Sequence, residues 1–154
     1  EGAPSEGRID WVHDDDAREQ AKGTSFLNRA EAKVASSWVK RLIDEEGLDV
    51  DSIVLLTPYA AQVKILLSHR TGCEVHTIDS FQGRESHTVL LSTVRDGSQG
   101  LGFWEDDRRL TVALTRARER LVVVSSGIWP EDSVLSKCRT LHCNMVSQGV
   151  SAVH

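Results

Sequence analysis

The chain has 154 residues, 40% apolar and 27% charged, a mix that fits one globular domain and excludes a disordered segment. Its 18 basic and 23 acidic side chains leave a formal charge of −5, which argues against an autonomous, nonspecific nucleic-acid binder of the usual basic kind. No apolar run approaches the ~18 residues of a membrane helix, and Cys73, Cys138 and Cys143 are too scattered for a disulfide framework, so an intracellular, reducing compartment is expected.

The first residues, 1–23, are polar and acidic, with Asp14, Asp15 and Asp16 in a run, and read as a lead-in loop holding one short strand at Ile9–His13. From Asn28 to Glu46 the pattern is helical. Leu27, Ala30, Val34, Trp38 and Leu42 form one apolar stripe, Asn28 with Glu31 resembles a capping box, and Gly47 is the expected stop. Ile53–Thr57 is a continuous apolar run, as in a strand covered on both faces. Tyr59–His69 reads as a second helix with Ala60, Val63, Leu66 and Leu67 inward. Glu74–Ile78 and Thr88–Val94 read as strands, and Asp96–Trp104, with Gly97, Gly100 and Gly102, as a loop. Asp106–Ala117 is expected to be helical and Leu121–Val124 a buried strand. Strands alternating with helices predict an α/β fold with a parallel sheet covered on both faces. The core is expected over 24–126, with a C-terminal tail over 127–154 that includes one short helix. The chain opens at Glu1 and its sole methionine is Met145, so a piece of a longer protein is expected.

Three segments carry candidate chemistry. In Leu56–Gln62, Tyr59 follows a strand and is suited to stacking on a base or to an interface. In Thr77–Glu85, Gly83 permits a tight turn and a close approach to a ligand, Glu85 can accept from sugar hydroxyls, and Thr77 and Ser80 can donate to phosphate oxygens. The plainer reading is a strand-to-helix turn capped by Asp79 or Ser80. In Arg108–Arg118, a continuous helix would put Leu110, Ala113, Leu114 and Ala117 on one face and Arg109, Arg116 and Arg120 on another. Such a face can aim a guanidinium at an anion, or pair with Glu105, Asp106, Asp107 and Glu119 in solvent.

Taken together, these segments resemble motifs IV, V and VI of superfamily 1 helicases, most closely the 5′-to-3′ group of the nonsense-mediated-decay helicase. Motif IV is represented by Thr57-Pro58-Tyr59 with Gln62, motif V by Val75 through Glu85, and motif VI by Arg108-Arg109-Leu110 through Arg118. Ser25 to Ala32 and Gln99 to Phe103 are similar to further segments of that family. The resemblance implies the second, C-terminal RecA-like domain, with a three-layer α/β/α architecture. It implies ATP and Mg²⁺ held mainly by a first RecA-like domain, single-stranded RNA or DNA as partner, and possible accessory proteins. By carry-over, Arg116 is the arginine finger; Tyr59, Gly83 and Glu85 meet the nucleotide, Tyr59 at the adenine; and Thr57, Pro58, Thr77 and Ser80 lie along the nucleic acid. Arg109 and Arg118 are expected to be partly structural.

No G-x-x-x-x-G-K-[ST] loop occurs, and Leu42-Ile43-Asp44-Glu45-Glu46 ends a helix where a Walker B acid would end a strand, so this chain alone is expected not to hydrolyse ATP. Cys138, His142 and Cys143 lack a fourth ligand, and no metal site is expected. The alternative function is a retired helicase domain serving as a scaffold or binding module in a larger assembly.

Overall fold

The computed structural model describes residues 8–129, 133 and 135–137. Five strands make one fully parallel sheet: β1 (Arg8–Asp14), β4 (Ile53–Thr57), β5 (Glu74–Thr77), β6 (Ser86–Ser92) and β7 (Ala117–Ser126), in the order β1-β7-β6-β4-β5. A separate antiparallel ladder joins β2 (Gln20–Lys22) to β3 (Ser25–Leu27). The helices that flank the main sheet include α1 (Arg29–Asp44), α2 (Ala60–Ser68) and α3 (Asp107–Leu114). The lead-in segment thus contributes β1, an edge strand of the main sheet.

Alternation along the strands divides the core in two. Ile53, Leu55, Leu90, Val122 and Val124 face α1 and α2, packing on Ala35, Val39, Leu42 and Leu66. Val54, Leu56, Val89, Leu91, Leu121 and Val123 face the other way, onto Ile78, Phe81, Trp104, Leu110 and Ala113. Both faces are covered, which is why these strands read as unbroken apolar runs, and the result is the expected three-layer RecA-like α/β/α arrangement.

Helix α1 starts where expected: Asn28 is extended (φ −147°) and its side chain accepts from the Glu31 N–H at 3.1 Å. Gly47 is left-handed (φ 72°), and the Leu48 N–H returns to the Leu42 carbonyl. The capping box is only half formed, because the Glu31 carboxylate turns into the core and the Asn28 N–H goes to Gln62 Oε1. The buried stripe is also rotated from the expected one: Ala32, Ala35, Val39 and Leu42 are inside with Trp38, whereas Ala30 is exposed. In α2 the inward residues are Gln62 and Leu66, not Leu67, which is 53% exposed. Gln62 sets that rotation by bonding Asn28 and Ser92.

The largest departure lies at the third segment. Helix α3 ends at Leu114, and the chain turns through Thr115 and Arg116 into β7. Ala117 pairs with Ser86 and Arg120 with Arg8, so sheet pairing overrides the helical periodicity beyond Leu114. Arg120 is therefore not on a helix face with Arg109 and Arg116. It is buried in β7, donating twice to Asp10 Oδ2 and once to Glu46, and that last hydrogen bond holds the Glu46 carboxyl below its ordinary range. Cys138, His142 and Cys143 and most of the expected C-terminal tail lie outside the described residues.

Candidate active site

In a parallel sheet, loops entering strands gather at one edge and loops leaving them at the other. Gly83, Arg84 and Glu85 lead into β6, and Thr115 and Arg116 lead into β7, so motifs V and VI meet at the amino-end edge. The Ser86 N–H donates to the Arg116 carbonyl at 3.0 Å, locking the two loops side by side. The Arg116 side chain is half-buried. Its Nε donates to Val112 O at 3.0 Å, Nη1 to Arg84 O at 3.3 Å and Nη2 to Thr115 Oγ1 at 3.2 Å. All three acceptors are neutral, and no carboxylate pairs with Arg116 among the described residues. Glu85 is exposed beside this loop. Gly83 has φ 79°, and a Cβ there would meet nothing within 4 Å. Glycine is required at that point by backbone conformation, and the space around it is open.

The carboxyl-end edge holds the other predicted residues. The Thr77 Oγ1 donates to Ser80 Oγ at 3.0 Å and accepts from the Ser80 N–H at 3.2 Å, while Ser80 Oγ donates to Thr77 O at 3.0 Å. The Thr77 hydroxyl thus takes an N–H at the start of the following short 3₁₀ turn, whose cap position is Ile78 and neither Asp79 nor Ser80, and Ser80 remains exposed. Pro58 is half-buried just past β4. Thr57 is fully buried and its hydroxyl has no partner among the described residues, so its side chain lies beneath the surface it was expected to form. Arg109 lies over Phe103 (4.8 Å) and near Asp79 and Asp106 (4.0 Å each), while Arg118 is exposed on β7.

Tyr59 does not share an edge with Arg116. It follows the carboxyl end of β4, whereas Ser52, at the amino end, bonds Ser86 next to Arg116. At about 3.3 Å per residue the two ends of this segment stand roughly 20 Å apart. The Tyr59 ring meets Phe26 edge-on at 5.4 Å, and its hydroxyl accepts from Arg95 Nη1 at 3.1 Å and the Phe103 N–H at 3.4 Å. It is a packed member of the carboxyl-end edge.

Beneath that edge lies a polar network that sequence pattern did not reveal. Glu31 is buried at 1% exposure. It accepts from Ser92 Oγ, Thr93 Oγ1, the Val94 N–H and Ser126 Oγ. Burial pushes its carboxyl up to about 7, against the opposing pull of those donors. Asn28 Nδ2 donates to Val94 O and Ser126 Oγ. Arg95, next in the chain, was also missed; the one signal for it is a guanidinium directly behind a buried strand.

Comparison with known proteins follows this geometry. A family model described as an AAA domain matches residues 4–127. The chain is 39% identical over 129 residues to the regulator of nonsense transcripts 1 of Dictyostelium discoideum, covering 76% of this chain and 9% of that protein. It is 37% identical over 135 residues to the ATP-dependent helicase upf1 of Schizosaccharomyces pombe, covering 80% of this chain and 14% of that protein. It is also 37% identical over 118 residues to the ATP-dependent helicase NAM7 of Saccharomyces cerevisiae, covering 69% of this chain and 12% of that protein. The chain thus spans only a small part of the length of the curated relatives it matches. Among solved structures it is similar in fold to the C-terminal domain of a possible DNA helicase from Lactobacillus plantarum, with a TM-score of 0.53 and 13% identity over 82% of this chain and 77% of that one.

Proposed function

On the premise that this chain belongs to the AAA domain family, as a superfamily 1 helicase domain of the nonsense-mediated-decay type, we propose that it is the second RecA-like domain of an ATP-dependent motor moving 5′ to 3′ on single-stranded RNA or DNA. The observation that carries this reading is the state of Arg116. Its guanidinium rests on three neutral acceptors, at the same edge as Glu85 and the open space at Gly83. A cation held that way has charge to give to an incoming polyanion, and neutral acceptors release it more readily than a carboxylate would.

In this reading ATP is gripped by a first RecA-like domain that supplies the phosphate-binding loop and holds Mg²⁺. Arg116 turns from Val112 O and Arg84 O to meet the γ-phosphate as the lobes close. Glu85 accepts from the ribose hydroxyls and Gly83 lets the backbone pass close to the nucleotide. The nucleic-acid backbone crosses the opposite edge, at Pro58, Thr77 and Ser80, with Thr57 and Tyr59 supporting it from below. Closing and reopening of the nucleotide edge then shifts the strand edge, which is how hydrolysis becomes movement.

The test is Arg116→Ala in the full-length protein. ATP turnover is expected to fall by about 10³-fold or more, the magnitude of a lost arginine finger. Binding of a single-stranded oligonucleotide without nucleotide is expected to survive. Near-normal turnover would remove Arg116 from the reaction.

A further inference from the structure

We propose that Arg95 is the positioning residue of the strand edge: its guanidinium sets the surface on which the nucleic-acid backbone lies, without touching the strand itself. The inference rests on the reading of the carboxyl-end edge as the nucleic-acid track.

The local chain is bent sharply to deliver this side chain. Val94 has φ 68°, a left-handed conformation that a β-branched residue rarely adopts, and the Arg95 N–H closes on the Thr93 carbonyl at 2.7 Å. The tight turn is held from all sides. Glu31 takes the Val94 N–H, Asn28 Nδ2 the Val94 carbonyl, Trp104 Nε1 the Thr93 carbonyl, and Trp129 Nε1 the Arg95 carbonyl.

The fork that results spans three segments. Nε donates to Glu19 Oε1 at 3.1 Å, ahead of the β2–β3 ladder. Nη1 donates to the Tyr59 hydroxyl at 3.1 Å, at the start of α2, and Nη2 to the Gln99 carbonyl at 2.9 Å. The guanidinium carbon lies 3.9 Å from the centre of the Phe26 ring. Gly102 leaves room for it, because a Cβ there would come 2.2 Å from Nη1 and 2.8 Å from the Tyr59 oxygen.

Two of the three proposed strand contacts, Pro58 and Ser80, trace back to this fork. Pro58 precedes Tyr59, whose hydroxyl Arg95 holds. The same hydroxyl holds the Phe103 N–H; Phe103 carries Arg109 over its ring, and Arg109 reaches Asp79, the neighbour of Ser80. Stability alone does not call for this arrangement. The Arg95–Glu19 pair is buried, at 5% and 1% side-chain exposure, and Glu19 Oε2 is buried without a partner among the described residues. Apolar packing would serve a core as well. A planar fork that fixes three segments at set angles serves a surface whose geometry matters.

The experiment uses the full-length protein with Arg95→Lys, Tyr59→Phe and Ser80→Ala, an oligouridylate and an oligodeoxythymidylate. It reads the strand concentration that half-saturates ATPase, the strand-free ATPase, and the melting temperature. Arg95→Lys and Tyr59→Phe are each expected to raise the half-saturating concentration roughly tenfold, as for one lost charge-assisted hydrogen bond, and Arg95→Lys is expected to leave strand-free ATPase within about twofold. An unchanged half-saturating concentration in folded Arg95→Lys, or a parallel fall of strand-free ATPase, overturns the inference. If Arg95→Lys does not fold, Tyr59→Phe, which removes only the shared hydroxyl, decides by the half-saturating concentration alone: no rise overturns the inference. Ser80→Ala tests the track itself. If it weakens strand affinity while the other two do not, this inference fails alone; if it has no effect, the track reading fails and the inference with it.

Discussion

At the scale of single residues, Glu31 ties stability to pH. It is a carboxyl buried among hydroxyls and an N–H with no cation among its bonded partners. Its folded value of about 7 lies above the ordinary 4.5, so the folded chain keeps a proton that the unfolded chain has already lost. Stability from this group is therefore full below about pH 4.5 and is lost as pH rises toward about 7, a change on the order of 3 kcal/mol. In Glu31→Gln that decline should vanish. Urea unfolding of both proteins at about pH 5 and about pH 8 checks it: a parallel pH dependence in the two would mean that Glu31 does not titrate there. The neighbouring Asn28 shows why such a site is hard to read in one dimension. Its spacing from Glu31 marked a helix cap, which it is, but the destination of the Glu31 carboxylate is set by Ser92, Val94 and Ser126, residues 61 to 95 positions away.

At the scale of elements, α1 is tied to the sheet through its own cap. Asn28 gives one oxygen to the first turn and two N–H donors to Val94 O and Ser126 Oγ, all buried. Asn28→Ala should therefore cost more than the ~1 kcal/mol of an exposed cap, about 2–4 kcal/mol, since buried acceptors lose their donors. Asn28→Asp keeps the capping oxygen and loses the donors. It should recover little of the loss, and full recovery of the melting temperature by Asp would show that only the cap matters. Helix α1 was legible from its periodicity and ends, though not the exact face it buries, and β4 from its continuous apolar run. Helix α3 was legible only as far as Leu114. The stretch Thr115–Arg120 keeps a helical pattern of apolar and basic residues, yet it joins a ladder whose partners, Arg8 and Ser86, lie far away in the chain.

At the scale of the whole molecule, the parallel sheet places the two proposed tasks at opposite edges. Gly83, Glu85 and Arg116 stand at the amino ends of β6 and β7, and Pro58, Thr77 and Ser80 at the carboxyl ends of β4 and β5. A domain with one functional group of each kind at opposite edges should do neither job well alone. The isolated 154-residue chain, at charge −5, should show no ATP turnover above background with Mg²⁺ and a single strand present. Turnover at a rate typical of a complete enzyme, about 1 s⁻¹ or more, would contradict the half-site reading. What the sequence by itself determined is the class: alternating strands and helices, both faces covered, and three short motifs that resemble one helicase family. Those follow from periodicity and from local spacing, which the chain carries along its length. Only the tertiary structure decided that Tyr59 parts company with Arg116, that Arg120 is buried against Asp10, that Thr57 is sealed, and that Arg95 and Glu31 sit beneath the carboxyl-end edge of the sheet. Each of those outcomes depends on which strand lies beside which and in what register, and contacts between distant residues leave no local pattern to read.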